Sequence, residues 1–368
     1  MKIDSIDIFR VAMPLVYPFR TAYGDEHVIE SVIVGMRSGD LVGWGESAPG
    51  AAPSYSPEWA GGVFTMLRDI AAPRLSGCDI EDGSDLQERL AFIKGNPFAK
   101  GALDAAWWDL TAQAQGVPLW RLIGGQRETV DVGADFGVME EVDSLLAVIS
   151  EAVDNGYHRV KLKYRPGWDL PVVEAVRNRF PGLVMHIDCN SSYTLDDLPM
   201  FRELDRFGLA MIEQPLAYDD LFDHAVLQSG IDTPVCLDES ITSPRKARAA
   251  CELGACRYIN IKPGRVGGIT PSLEIHRIAS EAGIPCWVGG MLESAIGASH
   301  CLALATLPNI AYPSDIFPTD RFYEHDVGIP AMIHSSPGCF TPHDNPGIGV
   351  SPDRERLEAV ICERAHVC

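Results

Sequence analysis

Basic side chains are scarce in this chain: 30 lysines and arginines stand against 51 aspartates and glutamates, a formal net charge of −21. Nucleic acids and anionic membranes are held through basic patches, so neither is expected as a partner. No run of about 18 apolar residues exists, which excludes an apolar helical membrane span. The richest stretch, residues 295–307, contains His300 and stops at Pro308. The ten cysteines fall into no CxxC or CxxH spacing, so zinc at cysteine is not expected. Charges interrupt the opening residues and no export signal is legible there, so reduced thiols in a cytoplasm are the expected state. What is present is an ordinary apolar content, 46% of 368 residues, enough for a large core without disulfide or metal staples.

Against that background five charged residues stand at nearly equal steps: Lys163, Asp188, Glu213, Asp238 and Lys262, at intervals of 25, 25, 25 and 24. Each closes a short apolar run. A period of about 25 fits one strand, one helix and two short loops. Charged residues ending successive parallel strands of a closed barrel point into one mouth. The sequence therefore places three carboxylates between two lysines.

Strand signals fall near 130–136, 159–163, 183–188, 209–213, 235–238, 258–262, 285–288 and 309–313. Helical patterns between them include 142–155, 170–180, 196–207, 244–253, 271–282 and 294–307. Eight strands with helical crossovers predict an α/β fold, a modified TIM barrel of the (β/α)7β kind. Residues 1–125 lack the rhythm. Strand patterns at 3–12, 28–36 and 41–47 precede helical ones at 57–71, 84–93 and 97–115, which predicts an α+β capping domain. The barrel is expected over 126–320. The segment 321–368, with a strand expected near 329–335, is expected to return to the cap.

Asp188, Glu213 and Asp238 are hard oxygen donors from three adjacent strand ends, a set suited to Mg²⁺, with Mn²⁺ as an alternative. A lone Asp in such a place would more often cap the following helix; the equal spacing of three favours a metal. Lys161 and Lys163 lie two apart and share a face. The neighbouring ammonium and a cation are expected to lower the pKa of Lys163, making it a usable base. Lys262 approaches from the far side of the carboxylates, with Glu239 as the expected partner that orients it. Any one lysine would more often be a surface ion pair; the shared strand-end position argues otherwise. Two bases flanking the carbon next to a carboxylate can exchange its proton through an enediolate.

At these residues the chain resembles the enolase superfamily, in its muconate-lactonizing-enzyme subgroup. The matching elements are Lys161-Leu-Lys163, Asp188-Cys-Asn190, Glu213-Gln-Pro215, Asp238-Glu239 and the Lys262–Gly268 segment. A closer resemblance, over nearly the whole chain, is to the o-succinylbenzoate synthase and N-acylamino acid racemase family. It is carried by Pro18–Thr21, Gly43–Glu46, Tyr164–Trp168, Gly289–Ser294, Ser314-Asp315 and Asp320–Glu324. The resemblance implies Lys163 and Lys262 as the acid/base pair, Asp188, Glu213 and Asp238 as metal ligands, and Lys161 and Asn190 as secondary polar groups. It also implies cap loops around Phe19 and 48–55 closing over the mouth, Met291 near the substrate, and a homo-oligomer.

The activities implied are dehydration of 2-succinyl-6-hydroxy-2,4-cyclohexadiene-1-carboxylate to o-succinylbenzoate, racemisation of N-acylamino acids, or both. The substrate expected is therefore a small-molecule carboxylate. Dipeptide epimerisation, muconate cycloisomerisation and an inactive metal-binding scaffold are the alternatives. Asp135 departs from the small or hydroxyl residues usual there in the family and is expected to disfavour an anionic succinyl tail. The paired acids of dipeptide epimerases are absent at Pro313–Ile316.

Overall fold

The computed structural model describes residues 1–21 and 24–368. Its first strands are long because alternation of apolar residues runs through Ser5–Thr21 and Gly24–Ser38, which pair antiparallel. Leu41–Ser47 adds to one side of them and Ile361–Val367 to the other, giving a four-stranded sheet. Ile6, Ile8, Val32, Val34 and Met36 pack against the helices of the same unit. Val11, Met13, Ile29 and Ile33 instead join the core of the barrel. One sheet thus contributes to two cores, and its burial ties them together.

Helix Pro97–Gln115 lies against strand Leu41–Ser47 at Gly43 and Gly45. A Cβ at Gly43 would strike the carbonyl of Ala106, and one at Gly45 that of Ala102. The close approach therefore requires glycine at both positions. The helix begins after Asn96, which is left-handed and gives no side-chain cap. Its first free N–H groups, those of Phe98 and Ala99, donate instead to the buried carboxylate of Glu58 at 2.9 and 3.2 Å.

The second sheet is parallel and has seven strands in chain order: Ala134–Phe136, Arg159–Lys163, Val184–Asp188, Ile212–Glu213, Val235–Leu237, Tyr258–Ile261 and Cys286–Val288. The eighth position, expected at 309–313, holds no regular strand. Parallel bridges at Ile310 to Cys286 and at Ser314 to Val132 occupy it. Pro313 has no N–H to give a ladder, so pairing is interrupted there. The interior is filled by side chains: Met211, Cys236, Trp287 and Tyr312 form one cluster, with His186 against the rings of Trp287 and Tyr312.

Helices Val142–Asp154, Leu170–Arg179 and Pro244–Leu253 lie within a residue of their expected spans. Phe222–Gly230, for which no helix was expected, supplies the crossover after Ile212–Glu213. The strand expected at 329–335 is reduced to Gly328–Ile329, paired with Ser351–Pro352; Pro330 cannot extend it. Among the described residues no helix is long and apolar enough to cross a membrane.

Candidate active site

The five rhythmically spaced residues come together at the C-terminal ends of the parallel strands. Register places Lys163 opposite Asp188, and Asp188 opposite Glu213. Asp238 and Lys262 each follow directly on a strand, Val235–Leu237 and Tyr258–Ile261. The turns just beyond are tight: Asn190, Ser191, Gln214 and Leu292 all have positive φ. Such conformations cost of order 1–3 kcal/mol each and persist only where surroundings fix them. At Gln214 the fixing is visible, because its side-chain oxygen accepts from the N–H groups of Asp238 and Ser240.

A cavity of about 90 Å³ lies between cap and barrel. Lys161, Lys163, Asn190 and Lys262 line it from the barrel, with Asp135 and Met291 at its sides. Phe19, Ile29 and Tyr55 close it from the cap. Asp188, Glu213, Asp238 and Glu239 do not border it; they lie buried under the lysines.

Asp188, Glu213, Asp238 and Asp315 are each matched by a cation. Lys161 Nζ stands 3.0 Å from Asp188 Oδ2, 3.0 Å from Glu213 Oε2 and 3.1 Å from Asp315 Oδ2. Lys163 Nζ donates to Asp188 Oδ2 at 2.7 Å. Lys262 Nζ donates to Asp238 Oδ2 at 2.9 Å, while Glu239 accepts from Asn190 at 3.3 Å. Burial alone would lower the pKa of Lys161, but the charges of Asp188, Glu213 and Asp315 outweigh it and hold the ammonium well above its ordinary value. Burial works the same way on Lys262, and Tyr55 and the nearby carboxylates again reverse it. Asp188 is pushed below the carboxylate range: burial opposes ionisation, and Lys161 and Lys163 overcome it. Cys189 and Cys236 are driven well up by burial, so both thiols stay protonated and inert.

Among the described residues no group of three His, Cys, Asp or Glu side chains is gathered closely enough to hold a metal as they lie. The chemistry of the donor set nevertheless fits a divalent cation. Asp188, Glu213 and Asp238 are carboxylates from three neighbouring strands. Asp188 and Glu213 already converge on one positive charge, the Lys161 ammonium.

Several residues of the site were not anticipated from sequence. Arg265 pairs with Asp238 Oδ1 and donates to Tyr55 at 3.1 Å, and Tyr55 donates to the same oxygen of Asp238 at 3.1 Å. Asn260 donates to Glu213 at 2.7 Å, His186 lies 3.4 Å from the same carboxylate, and Arg159 pairs with Asp315 at 2.6 Å. Asn260, His186 and Arg159 precede Lys262, Asp188 and Lys161 by two residues. The two-residue period that put Lys161 beside Lys163 would have found all three.

Two family models cover most of the chain. Residues 3–124 match the mandelate racemase / muconate lactonizing enzyme N-terminal domain, and residues 144–356 match the enolase C-terminal domain-like model. An N-succinylamino acid racemase from Thermus thermophilus is 41% identical over 350 residues, 95% of each chain. An o-succinylbenzoate synthase from Geobacillus kaustophilus is 42% identical over 360 residues, 97% of this chain and 96% of that one. A crystal structure of an enolase-superfamily member from Listeria innocua superposes with a TM-score of 0.96 at 34% identity, covering 100% of this chain and 99% of that one.

Proposed function

This chain belongs to the enolase superfamily, in its mandelate racemase and muconate-lactonizing branch, and from that premise we propose that it abstracts the proton next to a substrate carboxylate. Membership implies use of a divalent metal. The products we propose are o-succinylbenzoate, by dehydration of 2-succinyl-6-hydroxy-2,4-cyclohexadiene-1-carboxylate, the opposite enantiomer of an N-succinyl or other N-acylamino acid, or both. The observation that carries the reading is the pair Lys163 and Lys262, which line one cavity from strands with three others between them.

Asp188, Glu213 and Asp238 would hold the cation, for which Mg²⁺ is the proposed ion; when bound it supplies electrostatic stabilisation to the charge that develops on the substrate carboxylate. Lys163 and Lys262 reach the carbon beside that carboxylate from two sides. In racemisation the Nζ of one takes the proton and the Nζ of the other returns one to the opposite face. In dehydration Lys163 takes the α-proton and returns it to the departing hydroxyl, which leaves as water, while Lys262 remains an ammonium facing the developing negative charge. Lys161 stays protonated among three carboxylates and adds a fixed positive charge to the floor. Phe19 and Tyr55, over the two bases, exclude water.

The test is proton NMR in D₂O with Mg²⁺. Loss of the α-proton signal of an N-acylamino acid, with growth of the other enantiomer, establishes the racemase. Rapid formation of o-succinylbenzoate with inert amino acids establishes a dedicated synthase. Absence of both would refute the reading.

A further inference from the structure

Two acids near the substrate cavity differ in how closely cations meet them: the charge of Lys161 acts on both, but among the described residues a direct ion pair is made only to Asp315. Asp315, at the eighth barrel position, is neutralised by Arg159 at 2.6 Å and Lys161 at 3.1 Å. Asp135, on the adjoining first strand, borders the same cavity. Only 7% of it is exposed, yet its Oδ1 has no hydrogen-bond partner, and among the described residues no cation lies within ion-pair distance of its carboxylate. A buried polar atom without a partner is costly and is normally satisfied by something. Glu26, from the cap, borders the cavity as well.

Position matters as much as charge. Asp135 and Phe19 are shared between the substrate cavity and a larger side cleft of about 1190 Å³. A substituent leaving the reacting carbon toward the first barrel strand must pass the Asp135 carboxylate to reach that cleft. Of the arginines lining the cleft, Arg321 donates to the backbone carbonyl of Asp135 and stacks over Phe317 and Phe322, and Arg20 pairs with Asp25 and Glu140. The lysines of the cavity make their ion pairs with Asp188, Glu213, Asp315 and Asp238, and Lys161 and Lys163 act on Asp135 from beyond ion-pair distance.

We propose that the substrate is a carboxylate whose far end carries a protonated amine or guanidinium, received by Asp135, and that the same residue rejects an anionic tail. The proposal rests on the α-proton chemistry proposed above and narrows it to the amino acid arm, since the precursor of o-succinylbenzoate carries an anionic tail and no amine. Asp135 acts as a specificity-determining residue: it pairs with the tail and leaves the reacting atoms to the lysines.

The experiment uses three acyl groups of equal length on one amino acid, L-phenylalanine: β-alanyl (cationic), butyryl (neutral) and succinyl (anionic). A second series varies the side chain of the N-acetyl amino acid: lysine, norleucine and 2-aminoadipate. The Mg²⁺-loaded protein is assayed by α-proton exchange in D₂O and, separately, by calorimetric binding. The expected order of kcat/KM in at least one series is cationic above neutral above anionic, with tenfold or more between the ends. Asp135→Ser is expected to shrink that ratio at least tenfold.

An anionic member as the best substrate of the wild type would mean that its tail runs past Asp135 to Arg321, and would overturn the proposal. So would a cationic-to-anionic ratio unchanged within threefold in Asp135→Ser. If that variant fails to fold, Asp135→Asn carries the comparison, and the wild-type order decides by itself. If no member exchanges its proton, the proposed reaction has failed. Calorimetric binding of the same compounds then still decides the charge preference.

Discussion

Glu58 sets two effects against each other, and their balance can be measured. Its carboxylate meets the N-terminus of helix Pro97–Gln115, where the free N–H groups and the helix dipole favour negative charge by about 0.3–1 kcal/mol, rising to about 2 in buried settings. Burial opposes that charge and wins, moving the group from 4.5 up to about 7 even though the N–H groups of Phe98 and Ala99 pull it down. A rise of that size corresponds to about 3 kcal/mol against the ionised folded form. Because the folded value is raised, this group's contribution to stability is present below the unfolded value. It is lost as pH climbs through about 7.

Glu58→Gln removes the charge and keeps one acceptor for Phe98, leaving the Ala99 N–H with a poorer partner at a cost of about 1 kcal/mol. At pH 5 the variant is therefore expected to be slightly less stable than the parent. At pH 9 it is expected to be more stable by about 2 kcal/mol, once that loss is set against the charge penalty. Glu58→Ala should lose stability at both pH values, since two buried N–H groups are then left without an acceptor at about 1–3 kcal/mol each. Urea unfolding of the three proteins at pH 5, 7 and 9, at constant ionic strength, reads these differences. If Glu58→Gln is the less stable protein at pH 9, the helix terminus outweighs burial and the reasoning fails.

Lys262→Ala should abolish racemisation by at least a thousandfold, while Lys163 still exchanges the proton of one enantiomer; isotope exchange measured on each enantiomer separately checks this, and surviving two-way turnover sinks the two-base scheme. Chelation with EDTA should remove activity and Mg²⁺ or Mn²⁺ restore it. Either ion should also raise the thermal unfolding temperature, because it binds the folded carboxylates preferentially. Gly45→Ala, whose new Cβ would meet the Ala102 carbonyl, should cost more than about 3 kcal/mol or prevent folding. A thermal midpoint close to that of the parent would show that the helix can move away.

Much of the barrel was legible because its signals are local. Arg159–Lys163 and Pro244–Leu253 coincide with the expected spans, since each carries its own period and, for the helix, a Ser243 cap and a Gly254 stop. The gathering of Lys163, Asp188, Glu213, Asp238 and Lys262 was legible because equal steps along a strand–helix repeat become equal steps around a ring. What escaped depends on distant partners. Ile361–Val367 is a strand because Ser5–Thr21 offers it an edge, and its own residues are mostly half-buried or exposed. Tyr55 and Arg265 meet at Asp238 from cap and barrel, a contact that no spacing predicts. Phe222–Gly230 did carry a local signal, since Asp220 accepts from the N–H groups of Phe222 and Asp223 at its start. Its exposed Phe222 hides the apolar stripe.

The pairing of Ser5–Thr21 with Ile361–Val367 bears on how the chain is made. On a ribosome Ser5–Thr21 finds Gly24–Ser38 soon after both emerge, but its other edge waits for a partner made far later; Arg10 and Glu363, which bond across that edge, lie 353 residues apart. Throughout elongation the nascent cap presents an unpaired edge, the kind of surface on which neighbouring chains on a polysome can add strands. Asp7 and Arg10 place charge along it in the meantime. Emergence of Ile361–Val367, more than that of any barrel unit, is then the event that closes the cap, and slowing translation lengthens the period in which a chaperone must cover that edge.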